Sequence, residues 1–414
     1  MIRFIHTADI HFGMENYGKV DPVSGIHSRL LDFKKSFDLC IDYAIDQHVD
    51  LFVFAGDAYK TAHPTPTQQK LLMQSLLRLH QAKIPTIIVV GNHDNPLSFG
   101  KANALDIFAH LPIDGFYVFS KPDHITIQTK SGPVQIVGIP WPNRHNLALN
   151  AAHHFDSATA LTRHISESLG SIIAHLAQKL DSTIPAILTG HLTVSAGIFS
   201  GSEKRAIYGH DPIVLPSQLA IEPFDYVALG HLHRFQNINP EGTIPIVYAG
   251  SIDRIDFGER KETKGFCDVK ILKKHQVEFT HITIPTRPFL QIEVTLHDNT
   301  DQTEQIVHAL KQYRIDDAIV KILYEIPVHM TDQVDIKKIQ KECSNAMFVV
   351  GIIPVRCAQT RTHRNIVSES MNFETLLQTY LQTQPHLQKR ADILLQKINQ
   401  LQNLQETYQE NNAD

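Results

Sequence analysis

The chain has 414 residues, 43% of them hydrophobic, and a formal net charge of −5. This length allows a large buried core and at least two structural units, and the charge excludes a general electrostatic attraction to nucleic acid. The four cysteines are far apart, without zinc-site spacing, and no apolar run reaches the length of a membrane span. We therefore predict a cytoplasmic protein that does not enter a membrane.

Apolar runs that end in Asp or His recur five times along the chain. They occupy 5–11, 51–57, 86–94, 186–191 and 226–233, and each is typical of a buried strand. One such ending is usually a turn or a helix cap, but chance is a poor explanation for five in order. Because open α/β sheets place sites at the carboxyl ends of parallel strands, we predict that all five direct their polar residues to one place.

The segments between these runs predict the flanking elements. Apolar residues from Phe33 to Ile45 recur at helical spacing, which completes a β-α-β unit. Residues 58–67 form a proline-punctuated loop that contains His63, and Thr67 is predicted to cap the helix that follows. Strands are predicted within 116–139 and a helix over 158–180. His63 either contacts substrate or is simply solvated.

A charged segment lies between the fourth and fifth runs. Lys204 and Arg205 follow Gly201-Ser202 in this segment. The glycine and the paired cations either approach phosphate groups or form a charged turn without a ligand. The sequence leaves both alternatives open.

The chain changes pattern after Ile284. Pro285 and Pro288 bracket a link, and residues 289–356 then alternate strand, helix, strand, helix and strand, which predicts a small α+β unit. From 372 to 408 the chain is rich in Gln and Leu, with an apolar stripe that Pro385 divides into two helices. The stripe packs either on its own domain or on a partner. We therefore divide the chain into 1–284, 285–366 and 367–414.

The residue types at the five run ends suit a two-metal centre. Two divalent ions roughly 3.5–4 Å apart can hold the attacking and departing oxygens of a phosphoryl displacement and lower the pKa of a bridging water. A single carboxylate such as Asp57 can bridge the ions. Imidazole, carboxylate and amide ligands without thiolate leave the metal open among Mn, Fe, Zn and similar ions.

The five motifs resemble the signature of the calcineurin-like metallophosphoesterases. They read Asp9-Ile10-His11, Gly56-Asp57, Gly91-Asn92-His93-Asp94, Gly190-His191 and Gly230-His231-Leu232-His233. The resemblance implies an α/β fold, a four-layer α-β-β-α sandwich, with two divalent metal ions. It assigns Asp9, His11 and His233 to one ion, Asn92, His191 and His231 to the other, and Asp57 to both. It also implies that His93 protonates the leaving oxygen and that Asp94 orients the His93 ring.

Residues 246–260, together with Gly201-Ser202 and Asp211-Pro212, resemble more narrowly the SbcD-like nucleases of double-strand-break processing complexes. This resemblance implies Mn²⁺ as the metal, with Mg²⁺, Fe²⁺ or Zn²⁺ as alternatives, and a homodimer. It implies that residues 285–366 form a cap over DNA and that the helical tail docks on an SbcC-like coiled-coil ATPase. Ser251 and Arg254 join His63, Lys204 and Arg205 as candidate DNA contacts, although both could simply stabilise a turn.

The resemblance to SbcD-like nucleases implies a metal-dependent DNA nuclease of DNA repair and recombination. It would act as an exonuclease at double-stranded ends and as an endonuclease on single-stranded or hairpin DNA. The alternative is a stand-alone metallophosphoesterase for a small phosphodiester or phosphomonoester, with the same seven ligands. The second domain and the striped tail argue against this alternative. A third interpretation, a catalytically silent scaffold for an ATPase, is disfavoured by the full ligand set.

Overall fold

The structure, a computed structural model, describes residues 1–96, 101–110, 113–143, 157–201, 211–298, 300–356 and 393–397. Contacts between Cα atoms divide the chain into two compact units. One consists of Met1–Val294, Thr303–Leu323 and Val334–Ile353, and the other of Thr295–Gln302, Tyr324–Gln333 and the chain from Pro354. The predicted division at 284 and 366 stays a prediction.

Strands and helices alternate along much of the described chain. The strands are β1 (Ile2–Thr7), β2 (Leu51–Phe54), β3 (Thr86–Val89), β4 (Phe116–Phe119), β5 (Asp123–Thr129), β6 (Gly132–Ile139), β7 (Ala186–His191), β8 (Thr193–Val194), β9 (Ile213–Val214), β10 (Tyr226–Gly230), β11 (Gln236–Asn237), β12 (Ile246–Tyr248), β13 (Gly265–Lys273), β14 (Gln276–Thr283), β15 (Phe289–Thr295), β16 (Ile319–Ile326) and β17 (Phe348–Arg356). The helices are α1 (Ser28–Asp46), α2 (Pro66–Gln81), α3 (Asp106–Ala109), α4 (Ala158–Ala177), α5 (Pro216–Leu219), α6 (Gln302–Leu310) and α7 (Ile336–Glu342).

The first sheet has six strands in the order β14-β13-β1-β2-β3-β4. Strands β1 to β4 run parallel, whereas β13 and β14 form an antiparallel edge beside β1. Helices α1 and α2 pack on one face of this sheet through a core that includes Phe33, Phe37 and Leu72. The three positions Phe33, Phe37 and Ile41 recur at the helical period, so the apolar stripe read from the sequence is the buried face of α1.

The second sheet also has six strands, in the order β11-β12-β10-β7-β6-β5. Helix α4 packs on its outer face through Ile165, Leu169 and Ile173. In β7, Ile187 belongs to the core between the sheets whereas its neighbour Leu188 belongs to the core beneath α4. The strand is therefore buried on both faces, as its continuous apolar run predicted.

A third core lies between the two sheets. Phe4, Val53 and Ile87 of the first sheet share it with Ile187 and Ala228 of the second. The mixed α/β fold with two large sheets is therefore confirmed. Because β1, β2 and β3 run parallel in one sheet, and β7 and β10 run parallel in the other, the carboxyl ends within each set emerge together.

His6 of β1 joins the sheets in their interior. It is fully buried, with Nε2 3.1 Å from the carbonyl oxygen of Leu229 and Nδ1 3.2 Å from the hydroxyl of Tyr226. The carbonyl can only accept, so Nε2 carries the proton and Nδ1 accepts from the tyrosine. Burial lowers the pKa of His6 to about 3, although its hydrogen bond to Leu229 opposes the shift.

We expect this neutral imidazole to make the metal-free protein sensitive to acid. The unfolded chain binds a proton near pH 6.5 and the folded chain only near pH 3, so stability is complete above 6.5 and falls as the pH drops. Between pH 6 and pH 5 the wild type should lose about 1 kcal/mol more unfolding free energy than His6→Gln. Urea unfolding in EDTA measures this difference. Equal pH dependence in the two proteins would contradict a buried neutral His6.

A third sheet has the order β15-β16-β17. Phe289 and Ile319, at the beginnings of β15 and β16, pack with Phe257 in a small apolar cluster. Arg287 precedes β15 and donates to both carboxylate oxygens of Asp32 in α1, at 2.7 and 2.8 Å. The five predicted elements of this region are present, but its role as a cap stays a prediction.

The structure corrects one local prediction of a helix start. Thr65, not Thr67, caps α2: its hydroxyl accepts from the backbone N–H of Gln68, whose side chain accepts from the N–H of Thr65. Pro66 occupies the first helical position, where its missing N–H costs nothing. Nearly all of the predicted tail lies outside the described residues. Within the part of the chain that is described, no helix has the length and apolar character to cross a bilayer.

Candidate metal centre

The predicted ligands lie at the carboxyl ends of the strands, as the sequence indicated. Asp9 and His11 follow β1, Asp57 follows β2, Asn92 follows β3, His191 ends β7, and His231 and His233 follow β10. Asp9, His11 and Asp57 adopt positive φ angles of 53°, 52° and 57°. Such angles are uncommon for residues other than glycine, and they mark functional turns. These turns bring side chains from two sheets into one buried region.

Two glycines allow the loops to approach each other. A Cβ at Gly91 would lie 2.1 Å from Oδ1 of Asp57, and one at Gly230 would lie 2.2 Å from the carbonyl oxygen of Ala55. Both contacts are far closer than any side chain tolerates. The Gly-Asn-His-Asp and Gly-His-Leu-His motifs therefore need glycine for packing, in addition to any role in the turn.

One half of the centre contains Asp9, His11 and His233. Their potential ligand atoms all lie within 4.8 Å of one another, and all three residues are buried. The Nε2 atoms of His11 and His233 are only 3.2 Å apart. Asp9 also accepts from the backbone N–H of His231, at 3.0 and 3.1 Å, which fixes its carboxylate against the loop after β10. Two imidazole nitrogens facing a carboxylate in a buried site fit a divalent cation.

The other half contains Asn92, His191 and His231. Oδ1 of Asn92 lies 2.9 Å from Nε2 of His191 and 3.2 Å from Nδ1 of His231. Asp57 lies between the halves, with Oδ2 3.3 Å from Nε2 of His191 and 3.6 Å from Nε2 of His11. The structure therefore brings all seven predicted ligands together and places Asp57 where a bridging carboxylate is required. Their individual ligand roles stay predictions.

The second ring nitrogen of each of three histidines faces an oxygen. Nδ1 of His191 lies 2.9 Å from the carbonyl oxygen of Ala55, and Nδ1 of His233 lies 2.8 Å from Oε1 of Glu259. Nε2 of His231 lies 3.5 Å from Oδ2 of Asp211, a distance too long for a hydrogen bond, so only His191 and His233 have their second nitrogen hydrogen-bonded in this way. Oxygen acceptors behind ligating imidazoles fix the tautomer and the direction of the ring. This arrangement is a second observation that fits a metal centre.

Charges in the centre are strongly coupled. Burial raises the pKa of Asp9 to about 6 and lowers that of His11 well below its usual value. Burial opposes charge on Asp57 and His191, but their mutual attraction prevails: the pKa of Asp57 falls well below its usual value and that of His191 rises to about 9. Metal binding at His191 therefore has to displace a proton.

His93 lies beside both halves. Its Nδ1 is 2.9 Å from the carbonyl oxygen of Lys60, and its backbone N–H donates to Oδ1 of Asp57 at 2.9 Å. The His93 ring meets the His11 ring edge-on at 4.9 Å between centroids. Because the Lys60 carbonyl can only accept, Nδ1 is protonated and Nε2 is left for proton transfer. His11, Asp57 and His93 also form a third group with ligand-atom distances within 4.8 Å.

Asp94 shapes the turn that carries His93. Its buried carboxylate accepts from the backbone N–H groups of Ala58, Tyr59 and Gly91, at 3.0 to 3.2 Å. Burial raises the pKa of Asp94 to about 7, and the nearby Asp57 charge adds to the shift. The oxygen that Nδ1 of His93 faces is the Lys60 carbonyl, so any orienting effect of Asp94 on this ring would have to act through the backbone, and the role stays a prediction.

The predicted DNA contacts occupy different environments. His63 is exposed in the loop after β2, whereas Lys204 and Arg205 lie outside the described residues. Ser251 is fully buried, with Oγ 2.9 Å from the carbonyl oxygen of Asp253. Arg254 donates to the carbonyl oxygen of Glu262 and to Thr286, so it holds the link before β15. The contacts of Ser251 and Arg254 correspond to the turn-stabilising alternative, and DNA contact stays a prediction for all five.

Sequence reasoning missed two side chains that contact the predicted ligands. Glu259 belongs to the segment of SbcD resemblance, but nothing in its spacing indicated a partner for His233. Trp141, the single tryptophan of the chain, has its ring 4.8 Å from the His231 ring and 6.1 Å from the His191 ring. It follows β6, whose apolar run ends in Pro-Trp-Pro and not in Asp or His. Asp, Asn and His at strand ends are the residues that indicate metal ligands, and tryptophan is not one of them.

Several solved structures resemble this chain at low sequence identity. Similar solved structures include a dimetal phosphatase from Danio rerio, 10% identical over 68% of this chain and 98% of that chain, with a TM-score of 0.39. They also include the protein TT1561 of Thermus thermophilus, 12% identical over the same shares of the two chains, with a TM-score of 0.35. The buried carboxylate, imidazole and amide groups define a candidate centre for divalent metal ions.

The particular family follows from the sequence profile described as Calcineurin-like phosphoesterase, which matches residues 2–235. The match covers more than half of the chain, and the chain belongs to this family. Members use two divalent metal ions, so the protein is a metal-dependent hydrolase of phosphoester bonds. The seven predicted ligands are the residues that would hold the ions.

Proposed function

We propose that this protein is a DNA nuclease that hydrolyses phosphodiester bonds as the nuclease subunit of an SbcCD-like, ATP-regulated complex. It acts at double-stranded ends and on single-stranded or hairpin DNA. The observation that supports this finer assignment is the position of Glu259. The match to the family profile ends at residue 235. Glu259 lies beyond it, in the segment 246–260 that resembles SbcD-like nucleases, and its carboxylate contacts the predicted ligand His233.

The chemistry divides between the bound ions and the protein groups. Divalent ions supply Lewis acidity at phosphorus and lower the pKa of a coordinated water. Asp57 holds the two halves of the centre at a fixed separation, because it lies between His11 and His191. His93 donates a proton from Nε2 to the departing sugar oxygen, while its Nδ1–H bond to Lys60 holds the ring in place.

Manganese is the metal that we propose for the cell. The ligand set contains imidazole, carboxylate and amide donors, and the described cysteines are buried elsewhere. This donor set excludes selection by soft thiolate and leaves Mn²⁺, Mg²⁺, Fe²⁺ and Zn²⁺ open, and the resemblance to SbcD-like nucleases favours Mn²⁺. Metal content after growth and purification without added metal would identify the ion.

The proposed partners are DNA, a second copy of the chain and an SbcC-like coiled-coil ATPase. With a net charge of −5, DNA binding has to depend on local cations or on a partner. Lys60 and Arg234 are exposed cations in the loops after β2 and β10. The pKa of His11 depends mainly on burial, on Asp57 and on two histidines, but Lys60 is close enough for its charge to lower this pKa further. They are our candidates for contacts to the DNA backbone.

The direct test is a panel of substrates with the purified protein and Mn²⁺. We expect cleavage of end-labelled double-stranded DNA and of a DNA hairpin, with stimulation by an SbcC-like ATPase and ATP. Hydrolysis of a small phosphodiester alone, with every DNA left intact, would contradict the nuclease proposal. That outcome would favour the stand-alone phosphoesterase and would leave the metal centre unaffected.

The variant Lys60→Ala/Arg234→Ala should weaken DNA cleavage selectively. In a plot of the logarithm of the DNA-binding constant against the logarithm of the salt concentration, each lost phosphate contact makes the slope shallower by about one unit. The slope of the double variant should therefore be shallower by about two units. Hydrolysis of a small phosphodiester should change far less, because the carbonyl of residue 60 still holds His93 and the Lys60 charge is the smallest of the named influences on the pKa of His11. Lys35→Ala, an exposed lysine of α1, is the matched control. An equal loss on both substrates would contradict a DNA-contact role.

A further inference from the structure

Glu259 is a buried carboxylate directly behind His233. It is fully buried, and its Oε1 lies 2.8 Å from Nδ1 of His233. Lys264 is almost fully buried as well, with Nζ 2.7 Å from Oε2 of Glu259. Two opposite charges without water are costly unless hydrogen bonds satisfy them. The surroundings of this pair therefore indicate what it does.

The donors around Glu259 hold it in one orientation. Oε2 accepts from the backbone N–H of Ile255 at 3.1 Å and lies 3.2 Å from Oγ of Ser251, in addition to its contact with Lys264. Lys264 also donates to Oγ of Ser251 at 2.8 Å and to the carbonyl oxygen of His233 at 2.9 Å. Oε1 thereby faces the imidazole. The network therefore forms hydrogen bonds with both the backbone carbonyl and the ring of His233.

The network determines which nitrogen of His233 carries the proton. A carboxylate oxygen can only accept, so Nδ1 is protonated and Nε2 presents a lone pair. Nε2 points to the centre, 3.2 Å from Nε2 of His11. Without an acceptor at Nδ1, the imidazole would divide between two tautomers, and one of these cannot bind a cation through Nε2.

We propose that Glu259 is the positioning residue of His233, fixing its tautomer and ring direction so that one half of the metal centre binds its ion tightly. Lys264 and Ser251 hold Glu259 in turn. This inference rests on the proposed assignment of His233 as a metal ligand and not on the choice of DNA as substrate. The competing explanation is a buried ion pair that only stabilises the fold.

The two explanations differ in how Glu259→Gln and Glu259→Gln/Lys264→Met affect metal binding. In both variants the backbone N–H of Ile255 holds the amide oxygen, so the amide NH2 group faces Nδ1 of His233 and offers it no acceptor. The double variant removes both buried charges together, so it avoids an unpaired Lys264 in the interior. Asp253→Asn is the matched control, because Asp253 is equally buried and bonds to Ser36 at 2.6 Å without contacting any predicted ligand. A purely structural carboxylate should behave like this control.

Two measurements separate the halves of the centre. Calorimetric titration with Mn²⁺ gives both affinities, and quenching of Trp141 reports on the half that contains His191 and His231, beside which its ring lies. We expect both Glu259 variants to lose 10- to 100-fold in affinity at one site only. The Trp141 quenching curve should not shift. Histidine ¹⁵N chemical shifts of the metal-free Glu259 variants should show a mixture of tautomers at His233, whereas the metal-free wild type should show one.

Three outcomes would overturn the proposal. Unchanged Mn²⁺ affinities in the Glu259 variants would show a purely structural ion pair. An equal loss in Asp253→Asn would show a general effect of destabilisation. If His233→Ala bound Mn²⁺ as the wild type does, the ligand assignment itself would fail, and this failure would be visible in the titration without any nuclease assay.

Discussion

Asp57→Asn is expected to abolish the binding of both metal ions and, with it, phosphodiester hydrolysis. The carboxylate faces His191 on one side and His11 on the other, so it belongs to both halves of the centre. An amide lacks the negative charge that balances two cations. Because metal ions contribute several kcal/mol of transition-state stabilisation, the rate should fall by roughly a thousandfold or more.

Asparagine is the informative replacement because it preserves the local hydrogen bonding. Oδ1 of Asp57 accepts from the backbone N–H of His93, and the amide oxygen of asparagine can accept the same bond. Asp268→Asn is the matched control, since Asp268 pairs with Arg3 on β1 and faces no ligand. Elemental analysis and calorimetric titration with Mn²⁺ check the result. Retention of both ions by Asp57→Asn would contradict a bridging role.

The sequence places the seven predicted ligands at one site because the signal that marks each of them is local. Each motif follows an apolar run, and a parallel strand delivers its carboxyl end to the common edge of the sheet. The signals for the helices are local as well: apolar residues at helical spacing predict α1, and local sequence patterns predict α4 and the five elements after Ile284. The pattern of hydroxyl residues predicts a start of α2 that is two residues too late, because Pro66 occupies the first helical position and makes Thr65 the cap.

The supporting residues of the centre could not be predicted in this way. Glu259 and His233 are 26 positions apart, and their contact depends on how the loop after β12 folds under the loop after β10. The acceptor on the His93 ring is a backbone carbonyl, and a carbonyl is present at every position of any sequence. Nothing in residue types could indicate that Lys60 supplies it. These contacts are products of tertiary structure.

His93→Gln should separate proton transfer from metal binding. The His93 ring lies beside His11 and Asp57, and its Nε2 atom does not take part in the hydrogen bond to Lys60. Cleavage of DNA releases a poor leaving group that needs a proton, so we expect its rate constant to fall by about 10² to 10⁴. Bis(4-nitrophenyl) phosphate releases a stable phenolate that needs none, and its hydrolysis should fall by less than about tenfold.

The comparison between these two substrates distinguishes an acid from a ligand. His93 also lies in a group with His11 and Asp57 whose ligand atoms are within 4.8 Å of one another, so a role in holding an ion is the rival explanation. A lost ligand would lower Mn²⁺ content and slow both substrates alike. An acid would leave Mn²⁺ content unchanged and slow DNA far more than the nitrophenyl ester. Because glutamine can still donate to the Lys60 carbonyl, the turn that carries residue 93 should keep its conformation in either case.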